Sequence, residues 1–140
     1  MRDIANNVNL RPAFVPGAAV TDNTIQTSTI LDTYGYGSAM LGLVTGTLTD
    51  ADATFTVALL ESNDSGMAGA NVVSATDMTS ATLASFDFSA DNVCRKLGYI
   101  GGKRYCQATI TPAANTGNLF VAGMWILGKP VHAPTANPPN

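Results

Sequence analysis

Along most of the chain, apolar and polar residues alternate with the period of two that marks a half-buried strand. The clearest case is residues 54–61, where Phe55, Val57 and Leu59 share one face and Thr54, Thr56 and Ala58 the other. The turn Thr49-Asp50-Ala51-Asp52-Ala53 precedes it, and residues 38–48 read as the strand before that turn. Residues 24–31 alternate in the same way. After a polar loop at 62–69, Val72-Val73 and residues 83–88 read as shorter strands, with Phe86 and Phe88 on one face. Residues 97–100 and 103–111 are joined by Gly101-Gly102 and read as a hairpin. A last strand over 118–127 closes the fold through Leu119, Val121, Trp125 and Leu127.

Seven or eight short antiparallel strands predict an all-β chain of two face-packed sheets, an antiparallel β-sandwich with jelly-roll topology. Another Greek-key sandwich is the alternative. An immunoglobulin-like arrangement fits less well, because Trp125 follows both cysteines. The core is expected over 22–128. Residues 1–21, with Pro12, Pro16 and several Asn, read as an extended N-terminal arm. Residues 129–140 hold four of the seven prolines and read as an extended or disordered C-terminal tail.

Composition sharpens this picture. A length of 140 residues supplies one domain's core. Charged residues make up 12%, about half the usual share, so the surface is unusually neutral. Seventeen Thr and eleven Asn stand against one Glu and three Lys, which favours strands and turns over helices. A net charge of −3 disfavours nucleic acid and anionic membranes as partners. The chain shows neither the apolar run of a secretory signal nor eighteen consecutive apolar residues, so a cytoplasmic site of synthesis is expected. Cys94 and Cys106 lack CxxC spacing and are expected to be free thiols.

Catalytic raw material is scarce. The only histidine, His132, sits in the proline-rich tail, where nothing would orient it as a base. One His and two Cys cannot complete a zinc site, and Asp50 and Asp52 lack the Gly and distal Glu of an EF-hand loop. Gly35-Tyr36-Gly37 and residues 98–103 match no phosphate loop. The sequence therefore predicts no enzyme activity, no cofactor and no metal. What stands out is a basic cluster: Arg95, Lys96, Lys103 and Arg104 are four of the seven cations, interleaved with Tyr99 and Tyr105. With Arg11 and Phe14 in the arm, these residues are the expected protein-partner interface. A competing reading is a carbohydrate-binding or receptor-binding module, with Trp125, Tyr34 and Tyr36 as a sugar platform.

Several segments carry a family likeness. They are Thr54-Phe55-Thr56-Val57 running into Leu60-Glu61-Ser62-Asn63-Asp64-Ser65-Gly66, then Gly98-Tyr99-Ile100-Gly101-Gly102-Lys103-Arg104-Tyr105 and Ala108-Thr109-Ile110-Thr111. Asp32-Thr33-Tyr34-Gly35-Tyr36 and Leu127-Gly128-Lys129-Pro130 extend it over nearly the whole chain. Together they resemble the small β-sandwich proteins encoded beside the major capsid gene of tailed bacteriophages, and among them the jelly-roll cement (decoration) proteins of podoviruses that infect Bordetella. The resemblance implies a structural virion protein on the capsid exterior. Its partners would be the major capsid protein and itself, as a homo-oligomer in which a dimer is favoured over a trimer. It carries over no active site.

Overall fold

A computed structural model describes residues 3–138; Met1, Arg2, Pro139 and Asn140, the outermost residues of the expected arm and tail, lie outside the described residues. Eleven strands and one short helix follow in chain order. They are β1 (Val8–Phe14), β2 (Gln26–Thr27), β3 (Leu31–Asp32), β4 (Tyr36–Leu48), β5 (Thr54–Ser62), β6 (Asn71–Val72), β7 (Met78–Thr79), α1 (Ala81–Ala84), β8 (Phe86–Asp87), β9 (Cys94–Tyr99), β10 (Tyr105–Ala113) and β11 (Leu119–Pro130). One sheet has the order β1-β11-β4-β9-β7, the other β2-β10-β5-β6, with β3 also on β10 and β8 also on β5.

The topology is that of a jelly roll. β2 and β3 lie along one edge of β10 as an interrupted strand, and β6 and β8 do the same along the free edge of β5. Merged in this way, the first, last, third and sixth strands make one sheet and the second, seventh, fourth and fifth the other, two interlocked Greek keys. β7 is an added edge strip.

Alternation along the long strands makes the core between the sheets. Leu41 and Leu43 from β4, Phe55, Val57 and Leu59 from β5, Cys106, Ala108 and Ile110 from β10, and Trp125 and Leu127 from β11 are all buried. Trp125 is fully enclosed, and its indole N–H donates to the carbonyl of Thr29 at 3.2 Å. That contact explains why the expected strand over 24–31 breaks in two. Ser28 still donates its N–H to Ala108 O at 2.9 Å, but residues 29–30 leave β10 and reach toward β1, where the Thr29 N–H donates to Ala13 O at 3.0 Å and its hydroxyl donates to Pro12 O.

Further expectations are corrected. Of the predicted strand 83–88, Leu83 and Ala84 belong to α1 and only Phe86–Asp87 pair as β8, with Phe86 buried and Phe88 exposed. Residues 8–14 of the predicted arm are the edge strand β1, paired with β11 from Val8↔Gly128 to Pro12↔Met124. Proline is tolerated there because an edge strand has one side free of ladder bonds, and the register shifts just after it. The C-terminal segment is not a free tail. β11 continues to Pro130, opposite Tyr36, Val131 N–H donates to Gly35 O at 2.8 Å, and Thr135 donates to Asn6 O and Val8 O at 2.9 and 2.8 Å. Finally, 97–111 is not a hairpin. β9 pairs with β4 and β10 with β5, so Gly101-Gly102 forms an arch from one sheet to the other. β9 and β10 each turn one buried parity into the core, β9 from the five-stranded sheet and β10 from the six-stranded one.

The arch is fixed by a small polar node. The Tyr99 hydroxyl lies 2.6 Å from Glu61 Oε2, to which it donates, and accepts the Lys103 N–H at 2.9 Å. Gly101 is required, since a Cβ there would sit 2.6 Å from the Tyr99 ring and 2.7 Å from the Glu61 carboxylate.

At the opposite end, Asp50 joins two loops. Its Oδ1 accepts the N–H groups of Ala51, Asp52 and Ala53 at 2.7, 3.0 and 3.2 Å, and its Oδ2 those of Thr116 and Gly117 at 2.7 and 2.8 Å. These donors, led by the Asp52 and Thr116 N–H groups, hold its carboxyl far below the usual carboxylate range. A group depressed on folding stabilises the fold above its unfolded pKa of about 4, and that stabilisation is lost as pH falls. Asp50→Asn therefore melts lower than the parent at neutral pH, and the gap narrows as pH drops below about 4. Thermal melts across pH 2–7 check this, and a gap that stays constant contradicts it.

Candidate functional site

The two outer faces of the sandwich differ in chemistry. On the six-stranded sheet, Thr27, Thr109 and Ala58 align across β2, β10 and β5, and Thr111 stands opposite Thr56. These short hydroxyl side chains hydrate readily. On the five-stranded sheet, Leu10, Ile126, Met40 and Gly98 form one row across β1, β11, β4 and β9, and Pro12, Met124, Gly42 and Lys96 the next. Ala122, Val44 and Cys94 make a third row. Lys96 is the only charge among these eleven positions. Leu10, Val44 and Met124 are 43%, 45% and 46% exposed, large values for apolar residues in the middle of a sheet.

Gly42 lowers the floor of this face, because a Cβ there would touch Ile126 Cδ1 at 3.4 Å. The result is a shallow, almost wholly apolar groove of about 940 Å³ bounded by Leu10, Met40, Val44, Met124 and Ile126, with Cys94 and Lys96 on its rim. The sequence carries a signal for it. Residues 39–44 and 121–127 are apolar at both parities, the pattern of a strand covered on both faces.

The six expected interface residues do not form one patch. Arg95 shares the inward parity of Leu97 and Tyr99; its Nη1 donates to Leu83 O at 2.8 Å and its guanidinium lies 5.8 Å from the Phe86 ring centroid. It closes one end of the core, and its Nε is buried without a partner. Phe14 is only 7% exposed and packs toward Gly123, so it is a core residue rather than an exposed anchor. Lys96 points the other way from Arg95, onto the rim of the apolar groove. Lys103 lies in the arch, its backbone held by Tyr99 and its side chain exposed. The cations on β9 and in the arch are thus spread over opposite sides, because strand parity separates neighbours.

Arg104, in contrast, pairs with Asp32, while Arg11 Nε donates to Asn9 Oδ1 at 3.0 Å and reaches Asp32 only through its charge. Arg104 Nε and Nη2 donate to the two Asp32 oxygens at 2.8 and 2.7 Å, the only ion pair among the described residues. The same guanidinium lies over the rings of Tyr34 and Tyr105, at 4.7 and 5.1 Å from their centroids. The hydrogen bonds from Arg104 hold the Asp32 carboxyl below its ordinary value, aided by the Tyr34 N–H and by the Arg11 charge. Tyr34 is displayed on a tight turn in which Tyr36 N–H donates to Thr33 O at 3.1 Å and Gly35 takes a φ of +85°. It is 75% exposed.

The remaining chemical candidates are accounted for by position. Trp125 is buried, so the sugar platform expected from Trp125, Tyr34 and Tyr36 does not assemble. His132 is exposed beyond the end of β11. Among the described residues no group of three His, Cys, Asp or Glu side chains could hold a metal. Both cysteines are free: Cys94 is exposed at the groove, and burial pushes the Cys106 thiol up to about 12.

No family model matches the chain, and no curated protein does. Among solved structures, the chain is similar to the PBSX exported protein XepA, with a TM-score of 0.54 and 11% identity over 86% of this chain and 37% of that one. Weaker likenesses are to latent PorU from Porphyromonas gingivalis, with a TM-score of 0.46 and 5% identity over 91% and 13% of the two chains, and to the C-terminal family 22 carbohydrate binding module of Clostridium thermocellum Xyn10B, at 0.46 and 12% over 91% and 89%. The chain thus spans just over a third of XepA and about an eighth of PorU. At such identities the likeness is one of fold, a β-sandwich.

The parity split on β9 has a direct test. Arg95→Ala lowers stability by about 1–3 kcal/mol, because it removes a charge-assisted bond to a backbone carbonyl and the packing over Phe86. Lys96→Ala, on the rim, stays within about 0.5 kcal/mol of the parent. Urea denaturation of the two variants measures both, and equal effects would contradict the inward placement of Arg95.

Proposed function

We propose that this chain is a structural virion protein that binds the outer surface of a tailed-phage icosahedral capsid and cements neighbouring major capsid subunits, stabilising the DNA-filled head. The observation that carries this reading is the apolar outer face of the five-stranded sheet, set against a threonine-rich face on the other sheet. Leu10, Val44 and Met124 stand at nearly half exposure on this face beside the half-buried Met40 and Ile126, and covering them with protein is stabilising. The family resemblance supplies the setting, and the scarcity of catalytic side chains agrees with a role made of contacts.

The occupant of the apolar face is a second copy of the chain. Apart from Arg11, Arg95 and Lys96 at its margins the groove is apolar, and a two-fold axis lets one apolar patch complement itself. Four strands and about five residues along each give a patch about 20 Å on a side. That is about 400 Å² in projection; side-chain relief and the exposed Val15 and Phe120 nearby enlarge it toward the roughly 800 Å² per partner of a standard interface. A dimer offers the shell two identical outward surfaces. Binding that favours the assembled shell stabilises it by mass action, and engagement of two subunits at once adds an effective-concentration term.

The first test mixes purified protein with matured, empty heads that lack it, pellets the heads and titrates bound copies. Saturable, stoichiometric binding that raises the melting temperature of the heads is expected; no binding at micromolar protein would sink the reading. A second test addresses the dimer. The parent sediments as a dimer in which Cys94 reacts slowly with a thiol reagent, whereas Met124→Asp yields a folded monomer with fast Cys94 labelling. Cys106 stays unreactive in both until denaturant is added. A parent that sediments as a monomer, or a Cys94 rate independent of protein concentration, would contradict the proposed occupant.

A further inference from the structure

Building on the cement reading, we propose that Arg104 is a preorganised fork that takes the carboxylate of an acidic side chain on a neighbouring shell subunit, a contact separate from the apolar face. In a chain with few charges, this one guanidinium is held by an unusual number of groups. Asp32 fixes its Nε and Nη2 at 2.8 and 2.7 Å, and the rings of Tyr34 and Tyr105 lie against it at 4.7 and 5.1 Å. The backbone is held as well. Thr33 N–H and its hydroxyl both donate to Arg104 O, at 3.0 and 2.8 Å, and Val131 N–H donates to Gly35 O at 2.8 Å, so the Tyr34 turn is fastened on two sides.

The arrangement leaves donors unspent. Asp32 uses the side edge of the guanidinium, while Nη1 takes no partner among the described residues and the side chain remains 47% exposed. The end-on edge formed by Nη1 and Nη2 is the second geometry in which arginine binds a carboxylate with two parallel hydrogen bonds. An ordinary surface arginine must give up rotamer freedom to do this; here that freedom is already lost in the free protein, so a partner incurs less ordering cost. Charge favours an acidic partner. The Asp32–Arg104 pair is neutral by itself, and the Arg11 charge acts on it as well. Tyrosine and arginine side by side are also the residues that dominate binding energy in protein interfaces.

Head-binding titrations with Arg104→Ala, Arg104→Lys and Tyr34→Ala test the fork. All three are exposed changes, and thermal melts confirm folding. Occupancy at least tenfold weaker is expected for Arg104→Ala and for Arg104→Lys alike, because lysine keeps the charge but lacks the planar pair of donors, with a smaller loss for Tyr34→Ala. Dimer sedimentation stays unchanged in all of them. A parallel arm uses the isolated protein and hexaglutamate, read by nitrogen-15 NMR of the arginine side chains: the Arg104 signals, assigned by their absence in Arg104→Lys, shift on titration, and the shift is smaller in Tyr34→Ala. If the parent fails to bind heads but hexaglutamate still moves Arg104, the cement reading falls and the fork stands. Unchanged head occupancy in Arg104→Ala and Tyr34→Ala overturns the fork, as does full retention by Arg104→Lys, an unmoved Arg104 signal with hexaglutamate, or competition by a neutral oligosaccharide such as xylohexaose.

Discussion

Everything in this fold depends on the pairing of β4 with β11, thirteen and twelve residues long, at the centre of the five-stranded sheet. Both strands are apolar at both parities. One parity, with Leu41, Leu43, Trp125 and Leu127, makes the core against the second sheet. The other parity has no covering layer within the chain. A two-layer sandwich can satisfy only one face of such a pair, so the sequence that makes the core also creates an exposed apolar surface. β1 and β9 flank the pair and widen that surface rather than hide it, since Leu10 and Pro12 continue its rows outward.

A second constraint follows from how few charges the chain carries. With 12% charged residues, loops are held by polar side chains bonded to backbone rather than by ion pairs. Asp50 gathers the N–H groups of two loops, and the fully buried Thr45 hydroxyl sits between Ala90 O and Val93 N–H. Asn115 donates to Val20 O and Asp22 O and so holds the segment that returns from β1. These bonds fix chain paths without placing charge on the surface, which keeps the desolvation cost of a broad protein contact low. Against that background the single ion pair of the described residues, Asp32 with Arg104, is conspicuous, and it lies at the edge of the molecule and not in its core.

Much of the strand content was legible in the sequence, because strict alternation in 54–61 and the apolar runs in 38–48 and 103–111 have one physical interpretation. β5, β4 and β10 occupy nearly those residues. The misreadings have definite causes. Pro12 and the surrounding Asn made β1 look like an arm, but an edge strand needs only half its ladder. Gly101-Gly102 between two apolar runs looks the same in one dimension whether it turns within a sheet or crosses between sheets, and only the partners of β9 and β10 decide it. The basic cluster looked like one patch because Arg95 and Lys96 are adjacent in sequence; in a strand, adjacency means opposite faces. Arg104's partnership with Asp32, seventy-two positions away, left no local trace.

The two surfaces complement each other physically. An apolar face gives affinity without specifying much about its partner's charge, which suits self-association, where symmetry already fixes the register. A fixed guanidinium gives little area but demands a particular geometry, which suits recognition of one site repeated across a lattice. A single fork of this kind would bind weakly. Carried twice on the proposed dimer and set across two subunits, it would gain from effective concentration only where those subunits sit at the right separation, so binding would report the assembled state of the shell instead of the presence of its free subunits. On the proposed reading, discrimination between assembled and free partners would come from the spacing of two modest contacts, and a neutral sandwich with both terminal segments bonded into the fold is the scaffold that keeps that spacing constant.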